Sequence, residues 1–276
     1  MTVVMTELDK IREAVDYLRV KVSTQFKVGV VLGSGLGSFT DGIEVTAEIP
    51  YKEIPHFPVS TVEGHSGKLI FGKLGKVDLV VLSGRFHYYE GYTPAEVVFP
   101  IRVLKLLGVS QLFLSNAAGG VHPNFKVGDL MIIRDHISFA IQNPLLGKNM
   151  DEFGPRFPDM SEPYAKWLID RAFSIGRELD IDLKQGVYFG VTGPTFETRS
   201  EYKMIKFVGA DAVGMSTVQE VIVAVHCGME VFAMSVITDL GIRDEENEIT
   251  HQDVLDAANE AAPKLTAVFK KMIENL

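Results

Sequence analysis

Arg85 and His87 stand two residues apart in Ser83-Gly84-Arg85-Phe86-His87-Tyr88-Tyr89-Glu90-Gly91, just after the apolar run Val77-Asp78-Leu79-Val80-Val81-Leu82. That run is β-branched and bounded by Gly75 and Gly84, so it predicts a buried strand. Open α/β sheets bind ligands beyond the carboxyl ends of their strands, and strand alternation sends Arg85 and His87 to one side. A guanidinium fork beside an imidazole suits an oxyanion such as phosphate. The segment alone reads equally well as an arginine paired with Glu90 and a histidine capping a loop, since surface ion pairs are common and weak.

Other small-residue segments offer matching groups. Gly33-Ser34-Gly35-Leu36-Gly37 follows the apolar run Val28–Leu32 but is no dinucleotide fingerprint, because Ser38 stands where the third glycine belongs. No acidic residue ends a clear second strand about twenty residues on. The P-loop pattern fails too: Gly67-Lys68 precedes Leu69, and Val62 replaces the earlier glycine. What remains is a tight turn with backbone N–H groups and the Ser34 hydroxyl, a cradle for an oxyanion. Asn116-Ala117-Ala118-Gly119-Gly120 reads as a loop of small residues that lets a ligand approach the backbone, and Gly214-Met215-Ser216 adds another hydroxyl. Singly each is an ordinary loop; together with Arg85 and His87 they point to one phosphate pocket.

Gly193-Pro194-Thr195-Phe196-Glu197-Thr198 combines a flat apolar ring with a carboxyl acceptor, suited to stacking a heterocycle and accepting from its N–H groups. Alternatively, Glu197 serves the first turn of a following helix. Metal ligation is unsupported, since no histidine pair falls at i, i+4, and no serine sits in a G-x-S-x-G elbow.

The elements that must position these groups alternate. Thr6 with Asp9 forms a capping box before Leu8, Ile11, Val15 and Leu18 at helical spacing. Lys68–Phe71 and Val77–Leu82 predict a hairpin, and Pro94 opens a helix to Leu107. Short strands follow at Leu112–Ser115 and Leu130–Ile133, a helix at about Glu162–Leu179, and a strand at Val187–Val191. Helices near Arg199–Val208 and Val218–His226 precede a strand at Val231–Ile237, and Thr250 with Asp253 begins a closing helix. This interleaving predicts an α/β fold with a largely parallel or mixed sheet, one domain over residues 1–276. The Pro- and Gly-rich stretch 138–160 carries Phe139, Leu145, Leu146, Phe153 and Phe157, and needs a ligand, another subunit or its own core to cover them.

Bulk properties narrow the partners. Net charge is −9, from 27 basic and 36 acidic residues, with no basic block, which excludes a nucleic-acid groove or anionic membrane surface. Cys227 is the single cysteine, so no intrachain disulfide or thiolate metal cluster forms. The amino terminus lacks a signal-peptide pattern and no apolar run approaches spanning length, so a cytoplasmic protein is expected.

Five motifs in fixed order carry a resemblance: Val30–Gly37, Gly84–Gly91, Asn116–Gly120, Gly193–Thr198 and Gly209–Ser216. Over about Val28 to His251 the chain resembles the trimeric purine nucleoside phosphorylases, which share their fold with methylthioadenosine phosphorylases. The resemblance implies a single α/β domain, a mixed central sheet with a distorted barrel flanked by helices, assembled as a homotrimer. It implies reversible phosphorolysis of purine (deoxy)ribonucleosides to free base and α-D-(deoxy)ribose 1-phosphate, with no cofactor and with phosphate as second substrate. Phosphate would be held by Ser34, Arg85, His87, the Ala117 N–H and Ser216, with His65 on a loop above it. Tyr89, Met215 and His251 would contact the sugar, while Tyr188, Val213 and Phe196 would line the nucleoside pocket. Glu197 would bind N1–H of a 6-oxopurine, Glu90 would orient His87 or Arg85, and Phe157 would enter a neighbouring subunit's site.

Position 239 departs from the pattern. Enzymes specific for 6-oxopurines would carry asparagine where this chain has Asp239, and methylthioadenosine phosphorylases carry aspartate but lack the glutamate matched by Glu197. Two expectations follow. A raised carboxyl pKa near Glu197 leaves Asp239 protonated to donate to N7 and permits inosine and guanosine, with adenosine admitted; or the enzyme is a methylthioadenosine/adenosine phosphorylase.

Overall fold

The computed structural model describes residues 5–22, 25–59, 66–241 and 249–276. Its frame is one nine-stranded mixed sheet in the order β2-β3-β4-β1-β5-β8-β7-β6-β9, closed by a further pairing of β5 with β9. Strands β5 (Gln111–Gly120), β8 (Ala212–Gly214), β7 (Leu183–Gly190), β6 (Leu130–Ile137) and β9 (Glu230–Leu240) thereby form a barrel, from which β1 (Val28–Leu32), β4 (Val77–Ser83), β3 (Lys68–Leu74) and β2 (Glu44–Pro50) extend as a wing. Strand β1 is buried at every position and lies parallel between β4 and β5, which explains its unbroken apolar run. Helices α1 (Glu7–Lys21), α2 (Pro94–Leu106), α3 (Lys166–Glu178), α4 (Arg199–Phe207), α5 (Val218–His226) and α6 (His251–Glu274) cover the sheet. Capping boxes at Thr6/Asp9, Thr93/Glu96, Thr198/Glu201 and Thr250/Asp253 fix where four of them begin.

The predicted hairpin forms, with β3 antiparallel to β4. The predicted loop Asn116–Gly120 does not: it is the second half of β5, paired residue by residue with β9 from Asn116↔Ser235 onward. Glycine disfavours strands in general, but here the absence of a side chain permits close approach. A Cβ on Gly120 would lie 2.9 Å from Ile237 Cγ2, and one on Gly119 would lie 2.9 Å from Asp239 Oδ2. Strand β9 likewise runs past the predicted Ile237 to Leu240, so Asp239 is a strand residue. The short strand β8 and the exposed strand β2 escaped the pattern, and α3 starts at Lys166 rather than Glu162. In the stretch 138–160, Phe153 is buried in the protein's own core, whereas Phe139, Leu146 and Phe157 are exposed.

Helix α6 is anchored to the barrel by an aromatic cluster. Phe269 packs against Phe113 of β5 (5.7 Å) and Phe232 of β9 (5.8 Å), all fully buried. Phe269→Ala should lower the unfolding free energy by about 3–5 kcal/mol through lost burial and a residual cavity. A urea titration showing less than about 1 kcal/mol would contradict this role.

Burial also holds the imidazoles of His87 and His136 below the ordinary histidine value, more than neighbouring acids restore it. The unfolded chain then binds protons that the fold refuses as pH drops through about 6.5, so stability is complete above that value and lost below it. The urea midpoint should fall between pH 7.5 and 5.5, and fall less in His136→Phe. An equal fall in both proteins would contradict the assignment.

Candidate functional site

The wing joins the barrel where β1 pairs with β5, and the site begins beyond the carboxyl end of the neighbouring β4. Beyond Ser83 the chain turns at Gly84 (φ 104°), whose carbonyl accepts from Tyr51 Oη at 2.6 Å. This turn directs Arg85 inward until it is 1% exposed. Its Nη2 reaches Glu220 Oε2 at 2.8 Å and its Nε reaches Oε1 at 3.4 Å. Nη1 donates to the Ser115 carbonyl at 2.7 Å and, more weakly, to Ser216 Oγ at 3.4 Å. A buried guanidinium without a carboxylate would be severely unstable, so Glu220 fixes both the charge and the orientation of Arg85.

Glu220 itself is held by the start of α5. The Thr217 N–H donates to its Oε2 at 3.0 Å, and Asn116 Nδ2 donates to Thr217 Oγ1 at 2.8 Å. Thr217 adopts φ 70°, ψ −51°, a left-sided conformation costing a β-branched residue on the order of 1–3 kcal/mol. Three segments distant in sequence, ending β4, inside β5 and opening α5, thus lock one arginine.

His87 is buried beside it. Glu90 Oε1 accepts from the His87 backbone N–H at 2.8 Å and lies 2.9 Å from Nδ1, while the ring stacks on Tyr89 with centroids 4.6 Å apart. Burial pushes the Tyr89 hydroxyl up to about 12. Glu90 therefore serves His87, and Arg85 takes its carboxylate from Glu220.

Arg85, His87 and Tyr89 open on one cavity of about 390 Å³. Ser34, Arg85, His87, Ala117 and Ser216 line it, together with Tyr89, Phe196, Glu197, Val213, Met215, Asp239 and His251. Ser34 reaches it from the turn after β1, where Gly33 passes so near β5 that a Cβ would lie 2.8 Å from the Ser115 carbonyl oxygen. Gly193 (φ 65°) packs on Met215 and Tyr89, which brings the Phe196–Glu197 segment alongside the Ser216 segment. His251 arrives as the first residue of α6.

The carboxylates form a second cluster. Asp239 is 7% exposed; Thr238 Oγ1 donates to its Oδ1 at 3.1 Å and Tyr202 Oη to its Oδ2 at 3.5 Å. Burial raises the Glu197 carboxyl above the usual range, and the charge of Asp239 adds in the same direction. The cavity thus holds a donor-rich set around the Arg85 cation that suits a small anion and an acid pair that suits a ring bearing N–H groups.

Two expected positions fall elsewhere, and a third, His65, lies outside the described residues. Tyr188 is fully buried behind the wall, where its hydroxyl accepts from the Ser216 N–H at 3.4 Å beneath Gly214. Phe157 is 87% exposed and lines a different cavity with Leu146, Arg156 and His136. Conversely, sequence reasoning missed Glu220, Thr217 and Tyr202. Glu220 had one signal, a lone acid in the stretch Val218–Val225, which is apolar but for Gln219. Among the described residues no group of three histidine, cysteine or acidic side chains could hold a metal, and no helix is long and apolar enough to cross a membrane.

Comparison with known proteins agrees with this geometry. Residues 27–274 match the phosphorylase superfamily model. The chain is 47% identical to purine nucleoside phosphorylase 1 of Geobacillus stearothermophilus, covering 96% of this chain and 97% of that one. It is 48% identical to the purine nucleoside phosphorylase of Mus musculus over 91% of this chain and 89% of its relative. The crystal structure of the Schistosoma mansoni purine nucleoside phosphorylase in complex with adenosine superposes with a TM-score of 0.93 at 40% identity, covering 98% of each chain. A barrel of this topology, a buried arginine–histidine pair at its mouth and kinship over nearly the whole chain converge: the protein is an enzyme of the purine nucleoside phosphorylase family.

Proposed function

We propose that the enzyme catalyses reversible phosphorolysis of inosine, guanosine and their 2′-deoxy forms, and that Asp239 broadens acceptance toward 6-aminopurines. The observation that carries this reading is the lining of one cavity by both Arg85–His87 and the carboxyls of Glu197 and Asp239. Phosphate is the co-substrate, held by Ser34, Arg85, His87, the Ala117 N–H and Ser216, with His65 above it, and no cofactor takes part. Tyr89, Met215 and His251 meet the sugar; Phe196, Val213 and, from behind, Tyr188 shape the base pocket.

The chemistry requires little from a strong base. As the C1′–N9 bond breaks, its electron pair leaves with the purine and positive charge develops on the ribose. A phosphate oxygen then bonds to C1′, so placing the anion beneath the anomeric carbon supplies most of the acceleration. The departing purine needs a proton or hydrogen bond at N7, the role assigned to a protonated Asp239, with Glu197 accepting from N1–H. The alternative, a methylthioadenosine/adenosine phosphorylase, draws support from the buried carboxyl at 239. His251 at the cavity favours the first reading, because an imidazole suits a 5′-hydroxyl better than a methylthio group. The exposed Phe157 supports a homotrimer in which that ring enters the neighbouring site, and the whole chain of 276 residues works as one domain in the cytoplasm.

Measured kcat/KM with inosine, guanosine, adenosine and methylthioadenosine should be highest for the two 6-oxopurine nucleosides and strictly phosphate-dependent. Strong preference for methylthioadenosine, or ribose release without phosphate, would overturn the proposal. Arg85→Ala should raise the phosphate KM about ten- to hundredfold by removing charge-assisted hydrogen bonds, and Glu220→Gln should raise it in the same direction by releasing Arg85. An unchanged phosphate KM in both would count against an anion site here.

A further inference from the structure

Tyr202 has no place in the assignment above, yet it touches both acids of the base pocket. It projects from the buried face of α4, in a small apolar cluster with Val121, Phe189, Ile205, Ala210 and Val213. Its hydroxyl lies 3.5 Å from Asp239 Oδ2 and also interacts with the Glu197 carboxyl. The ring is tightly enclosed: Gly241 approaches it so closely that a Cβ there would collide with the ring carbons, and Tyr202 is 4% exposed. Burial first, then the charges of Asp239 and Glu197, push its own ionisation far above the ordinary range, so it remains a phenol.

A phenol carries one hydrogen and can donate to one carboxylate at a time. The hydrogen bond that the geometry defines runs to Asp239, whose other oxygen receives the Thr238 hydroxyl. Two donors on one carboxyl stabilise its ionised, accepting form.

Resting on the proposed phosphorolysis, we infer that Tyr202 is a specificity-determining residue acting through Asp239: its hydroxyl shifts that carboxyl toward the accepting form and thereby admits a 6-amino group beside the 6-oxopurines that the protonated form serves. It is a positioning residue and need not touch the purine. Without the hydroxyl, Asp239 protonates more readily and becomes a donor, which favours O6 and N7 of a 6-oxopurine.

Tyr202→Phe removes the hydroxyl and keeps the ring. The adenosine-to-inosine ratio of kcat/KM should fall by about three- to tenfold, in keeping with one charge-assisted hydrogen bond of long geometry. In an Asp239→Asn background the same substitution should leave the ratio unchanged, because the residue through which Tyr202 acts is gone. Calorimetric binding of adenine and hypoxanthine, which needs no turnover, should show the same loss of preference for the 6-amino base. Equal losses for both nucleosides would indicate mere support of the fold and overturn the inference. A ratio that still moves in the Asp239→Asn background, or one that rises in Tyr202→Phe, would overturn it as well, the latter placing the hydrogen on Glu197. Wild-type protein inactive on every nucleoside would instead sink the phosphorolysis reading itself.

Discussion

The buried pair between Arg85 and Glu220 is the constraint around which the site is built. Both side chains are almost wholly withdrawn from water, and a charge in such surroundings is tolerated only with a partner at good geometry. The pairing explains features that otherwise look unrelated: the strained backbone at Thr217, the link from Asn116 across to the start of α5, and the acid inside an apolar helix. Each secures Glu220, and Glu220 secures the guanidinium at the cavity wall. Replacing such a pair with apolar residues is often neutral for stability, so what the pair contributes is the placement of a guanidinium at the cavity wall.

A second constraint comes from glycine at the seam between β5 and β9. Gly119 and Gly120 let β5 run against β9 without side chains, and Asp239 occupies the space so created. The acid thereby reaches the cavity as part of a rigid strand rather than from a loop. Precise placement of a hydrogen-bonding group is best achieved on such an element. Tyr202 and Thr238 then fix which way that acid points.

Much of this was legible in the residues. Unbroken apolar runs located β1, β4 and β9, because strands buried on both faces need no alternation. Thr-x-x-Asp boxes marked the starts of α1 and α6, since their chemistry is local. Five of the motif segments come together at one cavity. Failures arose where tertiary contact overrode local preference: Asn116–Gly120 looked like a loop because glycine pairs poorly as a strand unless a neighbour requires close approach. Glu220 and Tyr202 were invisible as site residues for a different reason. They act on Arg85 and Asp239 from 135 and 37 positions away, and no spacing rule connects them. Tyr188 showed the converse: its hydroxyl accepts from the Ser216 N–H behind the cavity wall, and the side chain does not line the cavity.

Crystals grown or soaked with inorganic phosphate and diffracting well enough to place an anion give the most direct test. The account predicts tetrahedral density within hydrogen-bond reach of Ser34, Arg85, His87, the Ala117 N–H and Ser216, with the Arg85–Glu220 pair unchanged. Density at some other surface, with these five groups left apart and the cavity holding only solvent, would contradict it.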